Sequence, residues 1–217
     1  MKRPMLLLGG VVLIIVAIFM IEGSKLDVKM KPMTGGDNAR VGLKTSQFRA
    51  VPELVGIDGY INVENISISD HIGENIVLID FWTYSCINCQ RTLPFLNSMH
   101  EKYRDEGLVI IGVHTPEFGF EEKFENVKMA MEKYGINYRV VQDNNYATWK
   151  VFKNRFWPRK YLIDAEGYIR FNHIGEGAYV ETEKKIQELL AEIKGNVTNI
   201  DLTKPLAQKK FLMITPE

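Results

Sequence analysis

Residues 76–94 read Ile-Val-Leu-Ile-Asp-Phe-Trp-Thr-Tyr-Ser-Cys-Ile-Asn-Cys-Gln-Arg-Thr-Leu-Pro. Ile76 to Trp82 is a short β-branched and aromatic run, the pattern of a strand buried on both faces. From Cys86 to about Tyr103 apolar residues recur at Ile87, Leu93, Phe95, Leu96 and Met99, which makes a helical stripe. Leu108 to Val113 is a second apolar strand. Strand, helix and strand at this spacing form a βαβ unit, whose crossover requires a parallel pair.

Working outward, Glu121 to Tyr134 reads as a charged-faced helix, Tyr138 to Val141 as a short strand and Tyr146 to Phe152 as a short helix. Lys160–Ile163 and Tyr168–Ile174 flank Asp164-Ala165-Glu166-Gly167, a turn signal that joins them as an antiparallel hairpin. Val180 to Lys194 closes the pattern as an amphipathic helix. Residues 50–194 thus predict an α/β domain with a central mixed sheet flanked by helices. Residues 195–217 form a tail with little periodicity, in which Phe211-Leu212-Met213-Ile214 is suited to an edge strand or to packing on the surface.

The chain has 217 residues, 46% hydrophobic and 25% charged, which describes a folded protein with one good-sized core and excludes a disordered or collagen-like chain. Its 27 Lys+Arg balance 27 Asp+Glu. Without a basic excess no long-range field draws in a nucleic-acid backbone, so no nucleic-acid partner is expected.

The N-terminus is organised differently. Met5 to Ile21 carries no charged residue, and as a helix it spans about 25 Å of hydrocarbon. Lys2 and Arg3 precede it and Glu22 to Lys25 follow. The small residues of a cleavage site are missing from Ile18 to Glu22, so residues 1–23 are expected to be an uncleaved signal anchor, a single transmembrane helix. Residues 24–49 mix Lys, Gly, Pro, Asp and Ser without a period and read as a juxtamembrane linker. Cation counts on the two sides do not decide the orientation. A short head before one apolar run is the form of an export anchor, which places residues 50–194 outside the cytoplasm, membrane-tethered. Asn65-Ile66-Ser67 and Asn196-Val197-Thr198 match the glycan acceptor pattern, a weak agreement.

The chemistry sits at Cys86-Ile87-Asn88-Cys89, where the first strand turns into the helix. These are the only cysteines. Two residues three apart on a helix have Cβ atoms about 5–6 Å apart, close to disulfide range, so the pair can open and close with little backbone movement. A c-type haem site needs His where Gln90 stands, and zinc needs two more ligands from four scattered histidines. Neither a cofactor nor a resident metal is expected, although copper held by two thiolates stays open. At the helix N-terminus free amides and the macrodipole favour an anion at Cys86, the nucleophile, while Cys89 lies one turn inside. Lowering a thiol pKa from about 8.5 to about 7 raises the thiolate fraction at neutral pH about fifteenfold and cuts nucleophilicity about fivefold. The stabilised thiolate therefore matters at least as much as a leaving group.

The segment Asp80 to Pro94 resembles the active-site segment of the thioredoxin superfamily, most closely the TlpA/DipZ-like redoxins. The likeness extends through His114 to Phe118, Asn145 to Trp149, Trp157-Pro158 and Gly175-Glu176-Gly177. It implies a thioredoxin-like fold and a thiol-disulfide oxidoreductase that reduces client proteins, with a CcdA- or DipZ-type membrane partner as electron donor. Ile87-Asn88 stands where thioredoxin has Gly-Pro, so thioredoxin's potential is not carried over. The resemblance makes Asp80 the buried carboxylate that exchanges a proton with Cys89. It makes Pro158 the cis-proline beside the disulfide, leaving the backbone of Trp157 free to bind substrate, and Pro94 the helix-kinking proline. It also suggests that Glu117 assists proton transfer. Tyr84 and Trp157 are read as aromatic walls that bind substrate, Trp82 as core packing in preference to a third wall, and His114 as either a site residue or a packed histidine. Two other functions use the same residues: a copper metallochaperone holding the ion on Cys86 and Cys89, and a non-redox peptide-binding module using the groove beside Pro158.

Overall fold

The β-branched and aromatic run of residues 76–82 is realised as β2 (Ile76–Trp82), every residue of which is buried. The computed structural model describes residues 47–194, which lie within one compact unit. β1 (Gly59–Ile61) precedes β2; α1 (Ile87–Tyr103), β3 (Leu108–His114), α2 (Phe124–Tyr134), β4 (Arg139–Gln142), α3 (Ala147–Val151), β5 (Arg159–Ile163), β6 (Ile169–Ile174) and α4 (Tyr179–Lys194) follow. The expected anchor, the tail with Phe211–Ile214 and nearly all of the linker lie outside the described residues. Among the described residues no helix is long and apolar enough to cross a membrane.

The six strands form one sheet in the order β1-β4-β3-β2-β5-β6. β2 pairs with β3 in parallel, Asp80 opposite Gly112, and β3 with β4 in parallel. β5 runs antiparallel to β2, and β6 to β5, as the hairpin reading required. The sheet is therefore mixed, with β2 at its interior.

Strand alternation sorts β2 between two cores. Ile76, Leu78 and Trp82 join Leu93, Leu96 and Met99 of α1 and Ile186 and Leu190 of α4 on one face. Val77, Ile79 and Phe81 face Trp149 and Phe152 on the other. Removing such side chains from water stabilises by about 1.5–3 kcal/mol each. The same alternation sends Asp80 to the α1 face, beneath the cysteines.

Gly112 is needed opposite Asp80. A Cβ there would stand 3.0 Å from Trp82 Nε1 and 3.1 Å from Val140 Cγ2, so the absence of a side chain lets the buried indole lie across β3. Trp82 is wholly buried, as the core-packing reading of it requires.

Two elements differ from the sequence expectation. β1 is only three residues long and exists through its antiparallel pairing with β4; so short a segment carries no readable period. The helix expected from Glu121 begins at Phe124, because residues 119–122 make a 3-10 turn that folds the Glu121 side chain inward.

Candidate active site

Cys86 is the N-cap of α1, with extended backbone (φ −70°, ψ 116°). The helix is entered from the β2 end through Thr83-Tyr84-Ser85. Gln90 steadies this entry: its backbone N–H donates to the Cys86 carbonyl at 3.0 Å and its side-chain amide to the Tyr84 carbonyl at 2.8 Å. Both cysteines are free thiols, Cys86 half-buried and Cys89 buried.

Their environments push the two thiols apart. Hydrogen bonding from the Cys89 thiol, helped against burial by the amides of Cys89 and Asn88, lowers the Cys86 pKa to about 6, while the nearby charge of Glu117 acts in the opposite direction. Burial, reinforced by the hydrogen bond to Cys86, pushes the Cys89 thiol well up. At neutral pH the half-buried sulfur is an anion and the shielded one holds its proton, which is the division of labour that an attacking and a resolving thiol require.

Behind them Asp80 is 1% exposed, and its Oδ1 has no hydrogen-bond partner. Burial raises its pKa to about 7 against the attraction of Lys160, with the Cys86 charge raising it further. Its cross-strand partner Lys160 is equally buried. The ammonium donates to the Gly175 carbonyl at 3.3 Å, and burial lowers its pKa against the charges of Asp80, Cys89 and Glu176. Asp80 can therefore accept or give a proton near neutral pH.

Trp157-Pro158 is a cis peptide. Trp157 is half-buried: its Nε1 donates to the Thr115 carbonyl at 3.0 Å, and its ring lies 4.2 Å from that of Trp149. The Pro158 carbonyl accepts the Gly175 N–H at 2.7 Å. Tyr84 is partly exposed, stacks on His114 at 5.6 Å and donates its hydroxyl to the Phe120 carbonyl. His114 is fully buried, its Nε2 3.4 Å from Thr83 Oγ1. Burial lowers its pKa to about 4, so it is a neutral packed ring, one of the two readings made for it. Glu117 stays exposed, close enough to oppose the Cys86 thiolate.

Glu121 and Lys160 were not singled out in the sequence. Glu121 is 0% exposed. One of its carboxylate oxygens accepts the Ser85 hydroxyl at 2.5 Å and the Ser85 N–H at 3.3 Å. The other accepts the N–H groups of Glu117 at 2.6 Å and Phe118 at 3.0 Å. Burial alone would raise its pKa; these donors bring it below the ordinary value. The carboxylate ties the residue before Cys86 to the loop after β3. Lys160 was legible in principle, since alternation with Leu162 turns it to the α1 face. Among the described residues no group of three or more His, Cys, Asp or Glu is placed to hold a metal ion.

Fold and site together define a dithiol redox protein, and comparison with known proteins agrees. A family model for thioredoxin-like domains matches residues 73–169. The chain is 46% identical over 148 residues to protein DipZ of Mycobacterium tuberculosis (strain CDC 1551 / Oshkosh), covering 67% of this chain and 21% of DipZ. It thus spans about a fifth of that relative's length. It is 30% identical over 142 residues to the thiol-disulfide oxidoreductase YkuV of Bacillus subtilis (strain 168), covering 65% of this chain and 95% of YkuV. The solved structure of a thioredoxin-like protein in its oxidized form superposes with a TM-score of 0.61 at 29% identity, over 67% of this chain and 97% of that one. The chain belongs to the thioredoxin-like family of thiol-disulfide oxidoreductases.

Proposed function

We propose that this oxidoreductase is a membrane-anchored, extracytoplasmic reductant of client-protein disulfides, working through Cys86 and Cys89. The observation that carries the chemistry is the opposed pair of thiols, a half-buried one with a pKa of about 6 and a buried one held protonated. The Cys86 thiolate attacks one sulfur of the client disulfide; that S–S bond breaks, and the departing client thiolate takes a proton from water. Asp80, ionised, receives the Cys89 proton. The Cys89 thiolate then attacks the Cys86 sulfur of the mixed disulfide, releasing the second client thiolate. The client has gained two electrons and the enzyme holds a Cys86–Cys89 disulfide. The backbone beside cis-Pro158, with Trp157 and Tyr84 around it, offers an extended client a place to lie.

Anchoring and location rest on the apolar run Met5–Ile21. A separate membrane protein of the CcdA or DipZ type would return the two electrons.

Cys89→Ser should accumulate mixed disulfides with clients, and Cys86→Ser should abolish disulfide reduction. A Cys86→Ser chain with wild-type activity would sink the reading.

A further inference from the structure

The loop after β3 carries apolar surface that the dithiol chemistry does not use. Phe118 and Phe120 are 50% and 52% exposed, yet their rings stack nearly parallel, 5.5 Å apart. The Phe120 ring in turn lies 6.2 Å from that of Tyr84, two residues before the reactive sulfur. Contiguous exposed rings of this kind mark a surface that receives a partner.

This surface is held rigidly with respect to Cys86. Buried Glu121 accepts the Phe118 N–H and the Ser85 hydroxyl on one carboxylate. The Phe120 carbonyl accepts the Tyr84 hydroxyl at 3.2 Å and the Asn126 side-chain amide at 2.8 Å. The aromatic pair is thus braced against the residue preceding the nucleophile.

The segment is mainly acidic. Exposed Glu117, Glu122 and Glu125 flank the two rings along the chain, with Lys123 the only cation between residues 117 and 125, and Glu121 is committed to its hydrogen bonds. An anionic lipid surface would be repelled; a chain with cationic side chains would be drawn in. A client caught as a mixed disulfide at Cys86 advances about 3.3 Å per extended residue, so a few residues directed across Tyr84 are long enough to reach the two rings.

We propose that Phe118 and Phe120 form an acid-rimmed aromatic platform that selects extended client segments bearing an apolar residue and a Lys or Arg within a few residues of the cysteine under attack. This substrate preference rests on the oxidoreductase reading above.

The test uses the full-length chain and two peptide disulfides, one with Phe and Lys beside each half-cystine and one with Ser and Glu there. Each is also made in a redox-silent form with Ser for Cys. The redox-silent Phe/Lys peptide should bind about tenfold more tightly than its counterpart, a preference that the double variant Phe118→Ser/Phe120→Ser loses. In that variant the ratio of Phe/Lys-peptide to glutathione-disulfide reduction should fall about tenfold. Glu117→Lys/Glu122→Lys should reverse the preference for Lys over Glu, and it keeps the test alive if the serine variant fails to fold. Equal binding of both peptides, or binding indifferent to both variants, would overturn the platform. So would a shift in the sedimentation of the chain on Phe118→Ser/Phe120→Ser without loss of peptide binding, which would place a second copy there. Platform-dependent peptide binding in a chain that reduces no disulfide would keep the platform and refute the oxidoreductase reading.

Discussion

Asp80 on β2 and Lys160 on β5 are Cα partners in antiparallel register, each 1% exposed, on the sheet face that receives Cys89. Their carboxyl and ammonium sit in a low-dielectric interior that also holds Tyr138 and Tyr179, whose hydroxyls feel the Asp80 charge, while the charge of Glu176 reaches Lys160. Lys160 stabilises ionised Asp80, so Lys160→Met should push the Asp80 pKa above its value of about 7. The pH at which mixed disulfides are resolved should then move upward. A resolution profile unchanged by Lys160→Met would remove Asp80 from the proton path.

The same carboxyl sets a stability trend. Its folded pKa, about 7, lies above its ordinary 3.8, so between those values the native state binds a proton that the unfolded chain has lost. Its contribution is full below about pH 4 and disappears as pH rises through about 7. Asp80→Asn does not titrate, so the denaturation midpoint of the variant should gain on wild type as pH is raised from 4 to 7. Parallel curves would contradict the raised pKa.

Removing the Glu121 carboxylate leaves the half-buried N–H groups of Glu117 and Phe118 and the Ser85 hydroxyl without their acceptor. Glu121→Ala should therefore destabilise by about 1–3 kcal/mol, as read by denaturant unfolding. It should also speed amide exchange at Ser85 and Phe118. An unchanged unfolding midpoint would show that water replaces those bonds freely.

Gly112→Ala brings a methyl group against Trp82 and Val140 at close to 3 Å. Overpacking between two central strands should cost about 1–3 kcal/mol. Its effect should appear in near-ultraviolet circular dichroism of the buried indole as well as in the unfolding midpoint.

What could be read from the chain was local. Ile76–Trp82 announced a doubly buried strand because all seven residues are apolar or end on the site, and Cys86 announced the helix N-terminus because the period changes there. The hairpin was legible from Asp164 to Gly167. β1 was not, since Gly59–Ile61 takes its strand form only from Gln142, Val141 and Val140 across the sheet. Glu121 looked like the first residue of a charged helix. Its burial depends on donors at Ser85, Glu117 and Phe118, the first of them 36 residues away, and no local pattern reports such a bond. Lys160 was read only as the first residue of its strand, and its place in the site comes from pairing with Asp80 across the sheet. The cis geometry at Pro158 was an inference from resemblance, and the structure supplies it directly.

The central claim is that Cys86 is the anionic attacking thiol and that Cys89 makes it so. The direct measurement is the rate of Cys86 alkylation by iodoacetamide as a function of pH in the reduced full-length chain, compared with Cys89→Ala. Wild type should show a midpoint near pH 6, with Cys89 left unmodified, and the loss of the Cys89 thiol should move that midpoint upward. Alkylation of Cys89 first, or a Cys86 midpoint at the ordinary thiol value of about 8.5 that Cys89→Ala leaves in place, would contradict the account.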